Sequence, residues 1–149
     1  MEYFANFMNP LLYILSLFLL ISCSNNYENE NCKFLLDINV NLSIDLSLPE
    51  YSQLPFAGNS IYIPNYGNGG IIVASTGFDY YAWDARDPNH EQSSCSILEE
   101  SGLEATCGCS DQNKYSLVTG QALGDNPPPC SLRFYSVRKN GNILYISNN

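Results

Sequence analysis

Residues 84–95, DARDPNHEQSSC, and residues 106–120, TCGCSDQNKYSLVTG, hold the only histidine of the chain and three of its six cysteines. Imidazole and thiol are the side chains that grip soft metal ions. Here they sit in two separate polar stretches, each flanked by residues suited to strands. FDYYAWDA (78–85) leads into the first, and YSLVTG (115–120) closes the second on a turn glycine. A pair of donor-bearing loops held by strands is therefore the unit around which the rest of the chain is read.

Outward from that unit the pattern is β throughout. In residues 38–48, INVNLSIDLSL, apolar side chains alternate without a fault from Ile38 through Val40, Leu42, Ile44 and Leu46 to Leu48. Period two means a long strand with one face buried and one wet, and Pro49 ends it. SIYIP (60–64) and GGIIVAS (69–75) are short β-branched runs, separated by NYGNGG (65–70), whose glycines permit a tight turn. No segment combines a 3.6-residue period with helix caps; ILEES (97–101) is the only place where a single helical turn is expected. In RFYSVRKNGNILYIS (133–147), Asn140-Gly141 is a strong hairpin signal. A loop made of those residues sets Val137 opposite Leu144 and Tyr135 opposite Ile146. GDNPPPC (124–130) reads as a stiff extended connection. About eight to ten short strands are expected, giving an all-β fold: a small antiparallel β-sandwich or barrel.

Composition narrows the partners. The 149 residues carry 15 acidic against 6 basic side chains, a formal net charge of -9. Phosphate backbones repel such a chain, so no nucleic-acid partner is expected. With 45% hydrophobic residues, a packed core is expected. The run Leu11 to Ile21 has the length of a signal-peptide hydrophobic region and is too short for an ordinary membrane-spanning helix. It ends in Leu20-Ile21-Ser22-Cys23, which resembles the lipobox of bacterial lipoproteins. The resemblance implies lipidation of Cys23 and a lipid-anchored place in the cell envelope. Residues 1–10 contain Glu2 and no Lys or Arg, so an uncleaved hydrophobic anchor is the alternative. The expected organisation is a lipoprotein signal peptide over 1–22, a flexible polar tether over 23–33 and a β domain over 34–149.

From about Gly69 to Asn148 the order of strands and loops resembles the Rieske domain, through GGIIV, YYAWDARDP, CGCSDQNKYSLVTGQ and LRFYSVRKNGNILYISN. In that family a Cys-x-His loop and a Cys-x-x-His loop hold a [2Fe-2S] cluster, two cysteines on one iron and two histidines on the other. Carried over residue by residue, the first box reads Asp87-Pro88-Asn89 and the second Cys107-Gly108-Cys109-Ser110-Asp111. The ligand positions therefore fall on Asp87, Asn89, Cys107 and Ser110, and only Cys107 has the family's donor. The expectation drawn from this is a domain without a cofactor, the alternative being a [2Fe-2S] electron-transfer protein. Respiratory members also carry a cysteine pair that clamps the two loops together. The resemblance implies a Cys95–Cys109 disulfide in that role, one that closes a loop of about fifteen residues and is worth ~3 kcal/mol.

Other readings of the same residues remain open. Cys95, Cys107, Cys109 and His90 are donors of the kind a structural zinc site uses. Asp84, Asp87 and Asp111 are oxygen ligands of the kind calcium takes, if they gather. His90 taken alone reads as a solvated loop histidine with no partner to orient it. Apart from Cys23, five cysteines leave at least one unpaired; Cys32 with Cys130 is one pairing, and the connectivity of Cys32, Cys107 and Cys130 is open. Tyr80, Tyr81 and Trp83 alternate in one strand, so part of the set is expected in the core and part outside. With one histidine and no placed nucleophile, no enzyme is expected. The function expected from sequence is a structural or interaction module in the envelope. Its partner would be an envelope protein or a glycan, with the lipid anchor holding it to the membrane.

Overall fold

The computed structural model describes residues 32–148. The hydrophobic N-terminal run, Cys23 and the tether up to residue 31 lie outside them. Ten strands follow in order: β1 (Asn41–Asp45), β2 (Ser60–Ile63), β3 (Ile71–Ser75), β4 (Tyr80–Asp84), β5 (Leu98–Ser101), β6 (Glu104–Cys107), β7 (Lys114–Ser116), β8 (Ala122–Leu123), β9 (Phe134–Asn140) and β10 (Ile143–Ser147). They make a six-stranded sheet in the order β1-β10-β9-β4-β3-β2 and a four-stranded sheet in the order β5-β6-β7-β8. Every pairing is antiparallel. The all-β antiparallel fold expected from sequence is the fold observed.

β3 is buried along its whole length, which is why its sequence IIVAS is a continuous apolar run rather than an alternating one. Its two faces serve two cores. Ile71 and Val73 join Leu42, Ile44, Ile63, Tyr135, Leu144 and Ile146. Both edge strands, β1 and β2, contribute to that cluster, so the large sheet curls around it. Ile72 and Ala74 face the other way and pack with Trp83, Leu98, Ala105, Tyr115 and Leu117 beneath the four-stranded sheet. Trp83 Nε1 donates to the Leu117 carbonyl at 2.8 Å and ties the sheets together. Its ring lies so close to Gly120 that a Cβ there would stand 2.4 Å from Cζ3, and Gly120 also holds φ +72°. Only glycine meets both demands.

The periodicity of residues 38–48 holds for burial: Val40, Leu42, Ile44 and Leu46 are inside. Leu48 is exposed and lies beyond the strand, ahead of a 3-10 turn at Pro49–Tyr51. Two local expectations are corrected. ILEES is not a helical turn: Leu98–Ser101 is β5, paired with β6 from Leu98↔Cys107 to Ser101↔Glu104. Burial of Leu98 against the second core outweighs the local preference. The terminal hairpin turns on Gly141-Asn142, not Asn140-Gly141, with Gly141 at φ +60°. Glycine at the first loop position suits a turn with positive φ there. Ile146 therefore pairs with Val137 and Leu144 with Lys139, two residues away from the expected register. A shift of two leaves each side chain on its original face, so Leu144 and Ile146 still enter the core.

Candidate metal centre

The first loop leaves β4 at Asp84, a fully buried carboxylate. It accepts from Tyr135 Oη at 2.6 Å, from Asn68 N at 2.8 Å and from Arg86 N at 3.0 Å. The loop returns through an Arg86↔Ile97 bridge, with Asp87 N donating to the Ser96 carbonyl at 2.8 Å. Arg86 fills the space beneath, its guanidinium donating to Ser93 O, to Ser96 Oγ and to Asn68 O. Residues 87–96 therefore form a stapled loop, and the second loop, between β6 and β7, lies beside it.

Asp87 and Asn89, at two positions that match Rieske ligands, turn their polar atoms inward. Asp87 is fully buried. It accepts from Tyr115 Oη at 2.6 Å, from Asn89 N at 2.8 Å and from Asn113 Nδ2 at 3.0 Å. Asn89 donates from Nδ2 to Tyr115 Oη at 2.8 Å and to Cys130 O at 3.0 Å, and accepts from Cys130 N at 3.0 Å. Burial, followed by the hydrogen bond and charge of Asp87, pushes the Tyr115 phenol far above its ordinary value. Ser110, at the fourth position, is exposed at the loop tip.

The donors that do converge are a different set. His90, Cys107 and Cys109 offer ligand atoms that all lie within 4.8 Å of one another. Cys107 is buried and its thiol is free. Its Sγ lies 3.7 Å from His90 Nδ1 and 3.6 Å from the Cys95 carbonyl. His90 Nε2 meets Asp111 Oδ2 at 2.6 Å. A carboxylate on Nε2 selects the tautomer with the proton on that nitrogen, which leaves the Nδ1 lone pair directed at sulfur. Burial pushes the Cys107 thiol up to about 12; the Cys109 N–H acts in the opposite direction, and Asp87 and Asp111 raise it further. Cys95 and Cys109 are joined by a disulfide with Cα atoms 4.7 Å apart, and Cys32 is bridged to Cys130 with Cα atoms 5.5 Å apart.

Two sequence readings change here. His90 is not a partnerless loop histidine, because Asp111, from the second loop, orients it. No sequence signal marks that pair, since its members lie 21 residues apart on different turns. The three aspartates do not gather: Asp84 belongs to Tyr135, Asp87 to Tyr115 and Asp111 to His90. In the aromatic strand Trp83 is buried, while Tyr80 and Tyr81 are half-buried.

No family model matches the chain, and no curated protein does either. Solved structures match over most of its length. A chain of the complex of reduced oxygenase and oxidized ferredoxin in carbazole 1,9a-dioxygenase aligns with a TM-score of 0.51 and 17% identity, over 72% of this chain and 93% of that one. The ferredoxin of carbazole 1,9a-dioxygenase from Nocardioides aromaticivorans IC177 gives 0.49 and 18%, over 75% and 99%. A putative NADH-dependent nitrite reductase small subunit from Mycobacterium tuberculosis gives 0.45 and 18%, over 76% and 98%. At these identities the likeness establishes the fold, which is Rieske-like.

The expectation of a domain without a cofactor is corrected by this combination: a fold of the ferredoxin kind, with imidazole and two sulfurs brought together at its loop tip. The residues at the four matching positions do not themselves form the two-thiolate, two-imidazole set of a [2Fe-2S] centre. Asp87 and Asn89 are held within the Tyr115 network, and neither is a thiolate or an imidazole. The converging set is one imidazole nitrogen, one free thiol and one sulfur held in the Cys95–Cys109 disulfide, donor types that thiophilic cations favour when the sulfur is a thiolate.

Proposed function

We propose that this protein is a membrane-tethered module of the cell envelope whose Rieske-like fold presents a binding site for one thiophilic cation of the zinc class. The separation of the two free donors carries the reading. His90 Nδ1 and Cys107 Sγ are 3.7 Å apart. A tetrahedral zinc ion, with Zn–S of about 2.3 Å and Zn–N of about 2.0 Å, sets two such atoms about 3.5 Å apart. An S–H···N hydrogen bond spans that gap in this structure, and a cation that replaces the proton needs little movement of either donor. Asp111 on the far nitrogen of His90 supplies the orienting carboxylate that metal-bound histidines regularly have. A net charge of -9 favours the approach of cations. The domain binds rather than catalyses, and the lipobox-like Leu20-Ile21-Ser22-Cys23 accounts for its tether.

The test is a titration of the full chain in detergent with Co²⁺, a spectroscopic substitute for zinc. A sulfur-to-cobalt charge-transfer band should grow to one equivalent and disappear in Cys107→Ser and His90→Gln. An unchanged band in both variants would end this reading.

A second reading, a surface that docks an envelope protein or a glycan, is favoured by two aromatic tips. Phe56 and Phe78 are 62% and 93% exposed, on turns joined where Gly58 N donates to Ser75 O at 2.8 Å. Substituting both with Ser should abolish retention of the protein on isolated envelope material if these rings dock there. Undiminished retention would remove that surface from consideration.

A further inference from the structure

We propose that the Cys95–Cys109 disulfide is a redox gate on the proposed metal site: its reduction frees Cys109 to complete a two-sulfur, one-nitrogen ligand set with Cys107 and His90, leaving the fourth position to solvent. The inference rests on the metal-binding reading above and extends it to regulation.

With the bridge closed, the site has only two strong donors. Cys107 and His90 are free, whereas the Cys109 sulfur, though within 4.8 Å of both, is tied to Cys95 and is a poor ligand in that form. Opening the bridge changes the donor count without moving the fold. A dithiol reductant transfers two electrons and two protons: the Cys95–Cys109 S–S bond breaks, two thiols form, and the reductant closes to its own disulfide. A divalent cation then displaces the protons of Cys107 and Cys109 and binds their thiolates with His90 Nδ1, releasing two protons to solvent. The metal undergoes no change in oxidation state.

Two features separate this bridge from the other. Cys95 is exposed, so a reductant reaches it, whereas the second bridge is less open, with Cys130 3% exposed and Cys32 half-buried. The loops also have holds independent of the bridge. Asp87 N donates to Ser96 O at 2.8 Å and Leu98 N to Ala85 O at 2.8 Å, while Gly108 N reaches Ile97 O at 3.4 Å. Ser93 N donates to Ser96 Oγ at 3.0 Å. The released Cys109 thiol therefore stays beside His90 and Cys107.

The experiment uses the full chain in detergent, anaerobically, with Co²⁺ as probe. One portion keeps its bridges; the other is treated with dithiothreitol and desalted before metal is added. Peptide mapping checks that only Cys95–Cys109 has opened. The reduced form should bind roughly a thousandfold more tightly than the bridged form, with the intense visible absorption of tetrahedral cobalt. Cys95→Ser, which frees Cys109 without reductant, should bind as tightly as the reduced wild type, and Cys109→Ser no more tightly than the bridged form. Far-ultraviolet circular dichroism of Cys109→Ser, together with alkylation of Cys107 before and after metal, separates a lost ligand from a lost fold. Equal affinity in the two redox forms would overturn the gate while leaving the binding site intact. Binding by neither form would overturn the site itself.

Discussion

At the scale of single residues, the chemistry turns on which polar atoms face inward and which face each other. Tyr115 Oη donates to Asp87 and accepts from Asn89. Tyr115→Phe leaves a buried carboxylate short of a donor, and the expected loss is about 2 kcal/mol in urea unfolding, with little change in slope. Both buried phenols also make stability depend on alkaline pH. Burial, reinforced by Asp84, raises Tyr135 above its ordinary value, and burial with Asp87 does the same for Tyr115. Unfolded tyrosines lose their protons near pH ~10 while these two keep theirs, so the contribution is complete below that pH and is lost as pH rises beyond it. Unfolding followed by circular dichroism should steepen above pH ~10, and in Tyr135→Phe the steepening should be smaller. An unchanged profile would place that phenol in an ordinary environment. Residue identity at 87, 89, 107 and 110 was legible from sequence; the inward network was not, because Tyr115 and Asn113 reach it from another strand. The His90–Asp111 pair was hidden for the same reason.

At the scale of elements, alternation was the reliable signal and local turn chemistry the weaker one. Residues 40–46 buried the side chains that their period assigned, because a strand with one wet face has only one register that hides its apolar set. The Asn-Gly pair indicated a hairpin correctly but not which two residues form the loop. ILEES took its conformation from the core beneath β5, which no five-residue window contains. The turn between β7 and β8 gives the sharpest test of an element. Gly120→Ala forces a Cβ to within 2.4 Å of the Trp83 ring at a positive φ. It should cost about 3 kcal/mol and disturb the tryptophan fluorescence. A stable variant with an unaltered emission maximum would mean that the ring is free to move aside.

At the scale of the whole molecule, two covalent ties do different work. Cys32–Cys130 spans 98 residues and ties the start of the described chain to the buried end of the proline-rich connection. Removing it with Cys32→Ser should cost about 4 kcal/mol, since the constraint on the unfolded chain grows with loop length. The Cys95–Cys109 bridge spans 14 residues and constrains much less chain. Its importance lies in the sulfur it withholds from the site. Strand order and the paired loops carried the fold from sequence to structure. The converging donors His90, Cys107 and Cys109 were named from sequence among the open readings, as part of a zinc-type set, while matching positions to the Rieske domain put the weight on Asp87 and Asn89. The membrane tether is tested by labelling cells with a radioactive fatty acid, which should mark the wild type and not Cys23→Ala. The most direct test of the proposed metal centre is elemental analysis of the full chain purified from its native cells, with acid-labile sulfide assayed on the same sample. One zinc-class cation per chain without stoichiometric sulfide is the predicted result. Two irons with two sulfides per chain, or no bound metal under either redox condition, would contradict it.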